Sequence, residues 1–514
     1  MVATADVNAT TAAVAVLKEG GNVIDAAIAA TFVLSVTQPG MCGLGGGGHL
    51  LAGFANGQTL CLDFREQAPE AASRDMFATL PANASIVGWH AAATPGTVRG
   101  LGEAHRRAGF LPWRRLVEPA IELAGAGHPV SYLRSQMLAT SSSLRRDPES
   151  CRILLRDGRC FEPGEILRQP ELAETLSRIA ANGADEFYRG ETAQRLARAI
   201  SEHRGAIRNS DLEAYTCADC TALMRHFRGC EVWTMPLSSA GGIGLLEILA
   251  ILEGTSFAAE GPGSASFLHF LAEAMRRAFA DRSGAIGDEL LDPAHISRWR
   301  DSIHPDRATP SAGLGQAGPI SIEPSCTTHL SVLDREGNAA ALTFTLNGMY
   351  GSGVTVPGLG FLLNNNMDNF AVRPGMPNQY GVVQGEANAI APGKRPMSSM
   401  APTIVCRDGR TEAVMGTPGG PTIPTAVAQV LLYLIEFGWN PRDAVNAPRI
   451  HHQWLPDVLY LERGFAPEVT RGLESRGHRL EYKTSMNDFN AIVWRDGWLQ
   501  GAADCRREGC ANGI

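Results

Sequence analysis

The amino-acid sequence predicts an α+β protein in which helices alternate with antiparallel hairpins. Two apolar helices open the chain, over residues 5–19 and from Asn22 to about Val36, since glycines 20 and 21 form a natural helix stop and asparagine is a good N-cap. Strands alternate around the turn dipeptides Asn56-Gly57 and Asp408-Gly409, which are typical of hairpins. Residues 94–252 have mostly helical periodicity. We therefore expect both helices and antiparallel sheets.

The remaining elements follow from the same two periodicities. The predicted helices lie at 172–181, 192–203, from about 243 to 252, 422–437 and 466–476, and the predicted strands at 49–54, 59–64, 231–235, 329–334, 339–346, 402–406, 412–416 and within 480–498. Residues 43–48, Gly-Leu-Gly-Gly-Gly-Gly, lack the Gly-Lys-Ser/Thr ending of a phosphate-binding loop and precede a strand. They predict a tight strand entry where backbones pass closely.

The amino-acid composition limits the kinds of partner that the protein is expected to bind. The 514 residues are 44% hydrophobic and 19% charged, which is ordinary for a globular protein. A net charge of -8 argues against a nucleic-acid partner, which would need a clustered basic face, and gives no reason to invoke a membrane. No secretory signal pattern opens the chain. This predicts a cytoplasmic location, or a periplasmic or secreted one if a leader has been trimmed.

The cysteines predict neither a disulfide scaffold nor a metal site. Eleven cysteines is an odd number, and Cys217-Ala218-Asp219-Cys220 is a lone CxxC without a second ligand pair at zinc spacing. We expect structural or incidental thiols. Nothing else in the sequence points to a metal or an organic cofactor, so none is predicted.

Six short segments hold the residues that suggest chemistry. They are Asp63-Phe64-Arg65-Glu66, Cys326-Thr327-Thr328-His329, Thr345-Leu346-Asn347, Asn364-Asn365-Asn366-Met367-Asp368-Asn369, Lys394-Arg395-Pro396-Met397-Ser398-Ser399 and Gly416-Thr417-Pro418-Gly419-Gly420. In this order they closely resemble the signature segments of the γ-glutamyltranspeptidase family of N-terminal-nucleophile (Ntn) hydrolases, from Met1 to about Ala503. The resemblance implies a four-layer αββα sandwich, with two central antiparallel sheets flanked by helices.

The resemblance also implies self-cleavage between Cys326 and Thr327, giving fragments 1–326 and 327–514 that form one intertwined domain. A Pro/Gly-rich stretch at about 305–322 precedes the cleavage point and is predicted to be an exposed linker. A threonine hydroxyl needs a base beside it. The new α-amine of Thr327, with an ordinary pKa of about 8, would supply that base, and Thr345 would orient the amine and hydroxyl.

The matching positions imply a site for a small substrate with a free carboxylate. Arg65 would grip that carboxylate, since a planar guanidinium suits it, and Ser398 and Ser399 would join it. Gly419 and Gly420 would form the oxyanion hole, where backbone N–H groups stabilise developing charge.

Two further matches concern the rest of the substrate. Asn347 corresponds to a family asparagine and is implied to bind substrate. Tyr380, within residues 374–386, corresponds to the lid over the pocket.

The sequence departs from the family pattern at Asn366 and Asn369, where typical members have Gln and Asp that bind the α-ammonium of a γ-glutamyl group. A neutral Asn369 removes the counter-charge, and losing a partnered charge in a desolvated site costs about 2 to 5 kcal/mol of binding. Asp368 lies next door and is a candidate for compensation.

Three functional hypotheses follow. The first is a self-cleaving threonine hydrolase that acts on γ-glutamyl amides such as glutathione, with water or an amine as acceptor. The second keeps the carboxylate-binding end but takes another acyl group: it is a dicarboxylyl acylase, or a biosynthetic C–C bond hydrolase that acts next to a keto acid. The third is a non-catalytic scaffold, against which the intact Thr327, Thr345 and Gly419-Gly420 argue.

Overall fold

The computed structural model describes residues 1–282, 287–314, 326–373, 378–379 and 385–514. Its strands are β1 (Val2–Thr4), β2 (Gly47–Gly53), β3 (Thr59–Phe64), β4 (His128–Pro129), β5 (Ile166–Leu167), β6 (Ala218–Asp219), β7 (Leu223–Phe227), β8 (Cys230–Thr234), β9 (Cys326–Leu333), β10 (Ala339–Asn347), β11 (Thr403–Arg407), β12 (Arg410–Gly416), β13 (Ile450–His451), β14 (Leu459–Glu462), β15 (Leu480–Lys483), β16 (Asn490–Arg495), β17 (Trp498–Ala503) and β18 (Cys510–Asn512). Its helices are α1 (Val7–Lys18), α2 (Val23–Thr37), α3 (Thr97–Ala108), α4 (Trp113–Ala126), α5 (Tyr132–Thr140), α6 (Pro148–Leu154), α7 (Pro170–Asn182), α8 (Glu186–Arg189), α9 (Glu191–Glu202), α10 (Asn209–Ala214), α11 (Ala240–Leu252), α12 (Ala265–Arg282), α13 (Pro293–Asp301), α14 (Thr422–Ile435), α15 (Pro441–Asn446) and α16 (Pro467–Ser475).

Two antiparallel sheets lie face to face at the centre of the fold. The seven-stranded sheet has the order β18-β1-β9-β10-β2-β3-β6, and the six-stranded sheet has the order β17-β16-β12-β11-β8-β7. Apolar side chains such as Leu51, Ala341, Ile404 and Val414 fill the space between them. Helices α2 and α3 pack against the outer face of the first sheet, and α11, α14 and α15 against the second. The predicted four-layer αββα fold is therefore confirmed.

Burial explains why the central elements form. Every residue of β9 and β10 is buried, because these strands are covered on one side by helices and on the other by the second sheet. All fifteen residues of α2 are buried as well, as expected for a helix that is apolar on every side. Its N-terminus carries a capping box between Asn22 and Asp25, which explains the restart after the two glycines.

The β9–β10 pairing contains an irregularity next to the predicted nucleophile. Phe344 pairs with Thr328, but the next pair joins Asn347 to Cys326, so β10 has an extra residue there. Asn347 has a φ of 80°, a left-handed conformation that is uncommon outside glycine. Such bulges re-aim side chains, and this one lies where Thr345 faces the end of β9.

The glycine stretch at 45–48 passes close to other backbone, as predicted. A Cβ on Gly46 would lie 2.0 Å from the carbonyl oxygen of Thr345, and one on Gly48 would lie 2.3 Å from that of Thr343. The glycines thus allow β2 to enter the sheet beside β10.

Other differences from the sequence analysis concern short elements. The segment 480–498 contains pieces of three strands, because β15 pairs with β14 outside the two main sheets while β16 and β17 extend the six-stranded sheet. The three-residue strands β1 and β18 were not predicted, since a strand of this length has too few positions to show alternation. Of the predicted linker, residues 315–322 lie outside the described residues. Within the described ranges, no helix is long and apolar enough to cross a membrane.

Because the backbone of Thr345 lies so close to Gly46, we expect a side chain at this position to destabilise the fold. Gly46→Ala should lower the free energy of unfolding by about 1–3 kcal/mol or more, because its Cβ would overlap backbone that cannot retreat. As a matched control, Gly244→Ala in α11 has open space around the new methyl group and should raise the stability by about 0.5–1 kcal/mol. Thermal melting of the two variants checks this, and equal melting temperatures would contradict it.

Candidate active site

A relay of hydroxyl groups connects Thr327 to the peptide bond that precedes it. The Thr327 hydroxyl donates a hydrogen bond to the Thr345 hydroxyl at 3.1 Å, and Thr345 donates to the carbonyl oxygen of Cys326 at 2.5 Å. The backbone N–H of Asn347 also donates to the Thr345 hydroxyl at 2.8 Å. Thr345 therefore accepts two hydrogen bonds, which directs its own proton toward the Cys326 carbonyl.

The predicted site residues largely surround one cavity of about 40 Å³. The predicted residues that line it are Arg65, Thr327, Thr345, Asn347, Asn369, Ser398, Ser399 and Gly420. Three predicted residues do not line the cavity: Asp368 and Gly419, which are each next in sequence to a lining residue, and Asn366, which lies three positions before Asn369. Tyr380 lies outside the described residues. The structure thus brings together side chains that are up to 355 positions apart in sequence, counting from Arg65 to Gly420 (420 minus 65).

Arg65 is fully buried and held by two neighbours. Its Nη1 lies 2.9 Å from Glu66 Oε2, and its Nη2 donates to Asn366 Oδ1 at 2.8 Å. Asn366 Nδ2 closes the ring by donating to Glu66 Oε1 at 2.6 Å. Burial raises the pKa of Glu66 to about 7. The guanidinium therefore has a fixed orientation beside a carboxyl group that is only partly ionised near neutral pH.

A second guanidinium lies in the cavity wall. Arg282, the last residue of α12, is buried and donates from Nη1 to the Ser399 hydroxyl at 2.8 Å. Burial lowers the pKa of Arg282 to about 10, so the side chain remains cationic at neutral pH. Sequence reasoning missed this residue, because an arginine at a helix end is usually a solvated charge. Ser398 also points its hydroxyl oxygen into a local turn, where it accepts from the N–H of Met400 at 3.0 Å.

The Gly419-Gly420 turn joins β12 to α14 in conformations that other residues rarely adopt. The φ angles of Gly419 and Gly420 are 140° and 56°. A Cβ on Gly419 would lie 2.3 Å from Thr422 Oγ1. Both carbonyls bond to the first turn of α14, and no described residue accepts a hydrogen bond from either glycine N–H. Two backbone donors next to the cavity thus remain available to a ligand.

No carboxylate from residues 366–369 lines the cavity. Asn369 Nδ2 donates to Asn366 Oδ1 at 2.7 Å. Asp368 accepts from the Ser85 hydroxyl at 2.9 Å and from the N–H of Gln379 at 3.1 Å, and it does not line the cavity. Among the described lining residues there are two arginines and no Asp or Glu.

Comparisons with known proteins identify the family of the chain. The family model described as gamma-glutamyltranspeptidase matches residues 9–514. The chain is 42% identical to a glutathione hydrolase proenzyme of Escherichia coli (strain K12), over 98% of this chain and 90% of that protein. It is 34% identical to the acylase ACY 1 proenzyme of Pseudomonas sp. (strain V22), over 99% of this chain and 92% of that protein.

Solved structures extend the comparison to three dimensions. Cephalosporin acylase from Bacillus halodurans superposes with a TM-score of 0.89 at 26% identity, covering 100% of this chain and 95% of that one. The γ-glutamyltranspeptidase of Helicobacter pylori superposes with a TM-score of 0.58 at 33% identity, covering 61% of this chain and 95% of that one. The chain therefore belongs to the γ-glutamyltranspeptidase family and is an enzyme of the N-terminal-nucleophile hydrolase type.

Proposed function

We propose that Thr327 first cleaves its own precursor and then serves as the nucleophile for acyl groups that carry a free carboxylate. The observation that carries this proposal is the relay from the Thr327 hydroxyl through Thr345 to the Cys326 carbonyl. A carbonyl that accepts a short hydrogen bond is polarised toward attack, and the donor also stabilises the oxyanion that forms.

The self-cleavage step balances as an acyl shift followed by hydrolysis. The Thr327 oxygen attacks the Cys326 carbonyl carbon, the C–N bond breaks, and the proton from the hydroxyl reaches the departing nitrogen. This shift frees the amine of Thr327, and water then hydrolyses the ester, which leaves a carboxylate on Cys326 and restores the Thr327 hydroxyl. That amine then sits on the same residue as the hydroxyl and acts as its base.

The acyl-transfer step uses the same oxygen. Attack on the substrate carbonyl produces a second oxyanion, for which the N–H groups of Gly419 and Gly420 are the proposed donors. The acyl ester on Thr327 then passes to water or to an amine. Neither step needs a group outside this chain other than the substrate and acceptor.

The two fragments are expected to remain one body after cleavage. The seven-stranded sheet takes β1, β2, β3 and β6 from the part before the cleavage point and β9, β10 and β18 from the part after it. Strand β9 lies between β1 and β10, so separation would break a central pairing and expose the core on both faces. This supports the predicted fragments 1–326 and 327–514 as an intertwined domain.

The acyl donor has two candidates, and one observation favours the second. A γ-glutamyl donor fits the relatives named glutathione hydrolase proenzymes, but its α-ammonium would meet two arginines and no carboxylate among the described lining residues. A des-amino dicarboxylyl group such as glutaryl avoids this cost, and it offers a carboxylate to Arg65 with Ser398 and Ser399. The relative named acylase ACY 1 agrees with that choice.

The relay predicts that the Thr345 hydroxyl controls self-cleavage. Thr345→Val should slow the appearance of the two fragments by about 10²–10³-fold, because one donor to a developing oxyanion contributes about that much. A gel time course after purification measures it. Thr328→Val is the matched control: this buried neighbour has no hydrogen-bond partner for its hydroxyl among the described residues, so its variant should be cleaved like the parent. Cleavage of Thr345→Val at the parental rate would refute the relay.

The neutral side chain of Asn369 predicts which acyl group the enzyme prefers. The processed enzyme should favour a glutaryl anilide over the γ-glutamyl anilide in kcat/KM, and Asn369→Asp should shift that ratio toward the γ-glutamyl compound by about tenfold or more, since a restored charge partner contributes about 2 to 5 kcal/mol.

Asp368→Asn tests the alternative source of compensation. If Asp368 only braces Ser85 and Gln379, the ratio of the two kcat/KM values should stay unchanged. A parent enzyme that prefers the γ-glutamyl compound, together with a loss of that preference in Asp368→Asn, would show that Asp368 supplies the charge.

A further inference from the structure

Three side chains from three helices meet away from the proposed nucleophile. Glu247 lies in the middle of α11, Asp281 lies at the penultimate position of α12, and His295 lies in α13. One ligand-type atom from each lies within 4.8 Å of those of the other two. His295 Nε2 is 2.5 Å from Asp281 Oδ2 and 3.9 Å from Glu247 Oε1.

Glu247 stands out because it is buried and contacts no arginine among the described residues; its ionisable neighbours are Asp281 and, at 3.9 Å, His295 Nε2. Its side chain is fully inaccessible, it belongs to a helix that is otherwise apolar, and neither of its carboxylate oxygens has a hydrogen-bond partner among the described residues. A buried carboxylate is costly unless it is paired or binds a metal. Glu273 is also fully buried, but its charge is compensated in the ordinary way by ion pairs with Arg276 and Arg277.

We propose that Glu247, Asp281 and His295 bind a divalent transition-metal ion such as Mn²⁺ or Zn²⁺. Two carboxylates and one imidazole are a donor set that suits these ions. A bound ion would compensate the Glu247 charge and would hold three helices together at one point. The site does not depend on the proposed chemistry of Thr327.

Binding requires small, specific changes. The ion would bind the Glu247 carboxylate in place of any proton on it. His295 Nε2 would turn its lone pair to the ion, with the proton on Nδ1. Arg298, which contacts Nδ1 at 3.0 Å, is exposed and free to move away. Trp299 donates to Asp281 Oδ2 at 2.5 Å and would orient that carboxylate.

The described part of the chain contains a second group of possible metal ligands. His269, Glu273 and His478 also lie within ligand distance of one another. However, Glu273 in that cluster is neutralised by Arg276 and Arg277, whereas Glu247 contacts no arginine among the described residues. That cluster needs no ion.

The position of the site connects it to the substrate cavity. Asp281 immediately precedes Arg282, whose guanidinium contacts Ser399. Glu247 and Arg282 also line the same small apolar cavity beside α11. An ion on Asp281 would therefore fix the end of α12 from which Arg282 reaches the cavity wall.

The test is metal binding by the full-length protein after removal of adventitious metal with a chelator. Titration with MnCl2, followed by electron paramagnetic resonance of the free ion, and with ZnCl2, followed by calorimetry, should show one equivalent bound and a raised melting temperature. His295→Ala and Glu247→Gln should each weaken binding by at least about tenfold. His226→Ala, which removes an exposed histidine on β7, should bind as the parent does.

Circular dichroism and a cooperative thermal transition confirm that each variant has folded, whether or not it cleaves itself. Glu247→Gln should also be at least as stable as the metal-free parent, because it removes a buried acid without changing its shape. Failure of the parent to bind either ion, or equal binding by the parent and by His295→Ala, would overturn the proposal.

Discussion

The orientation of the Thr345 hydroxyl is the constraint on which the site depends. Its oxygen accepts from Thr327 and from the backbone of Asn347, so its proton is directed at the Cys326 carbonyl. This arrangement exists only because β10 bulges between Phe344 and Asn347. The peptide bond proposed to be cleaved lies at the start of a central, fully buried strand, and the relay forms only once the seven-stranded sheet has assembled. The proposed self-cleavage would thereby be coupled to folding, since an unfolded chain does not bring Thr345 to Thr327.

The proposed acyl-group preference rests on the charge balance of the cavity. Arg65 is fixed by Glu66 and Asn366, and Arg282 adds a second cation through Ser399. Two guanidinium groups in this wall favour a substrate carboxylate. They disfavour the α-ammonium of a glutamyl group, because Asn369 is neutral and Asp368 is engaged with Ser85 and Gln379. The neutral Asn369 is therefore proposed to have a large effect, since no Asp or Glu is among the described residues that line the cavity.

The helical layer outside the six-stranded sheet does more than cover the core. Helix α12 ends in Arg282 at the cavity, and Asp281 on the same turn meets Glu247 and His295. A cation at this junction would compensate a buried charge and restrain the base of Arg282 at once. Substrate binding and the stability of this layer would then be linked through adjacent residues of one helix.

The sequence by itself determined the local elements and the family, and it predicted the nucleophile. Alternation and turn dipeptides predicted the hairpins of β2 with β3 and of β11 with β12, because strand period and turn conformation are local properties. The ordered motifs predicted the family, and with it the fold and the role of Thr327. Even the close approach at Gly46 followed from a run of glycines before a strand.

Only the tertiary structure decided which distant side chains share a charge or a hydrogen bond. The place of Arg282 in the cavity, the ring of Arg65 with Glu66 and Asn366, and the direction of Asp368 toward Ser85 all join segments that are far apart in sequence. The cluster of Glu247, Asp281 and His295 comes from three helices whose spacing carries no motif. These contacts depend on how helices and sheets pack, and a linear pattern records the period of each element but not the partner it meets.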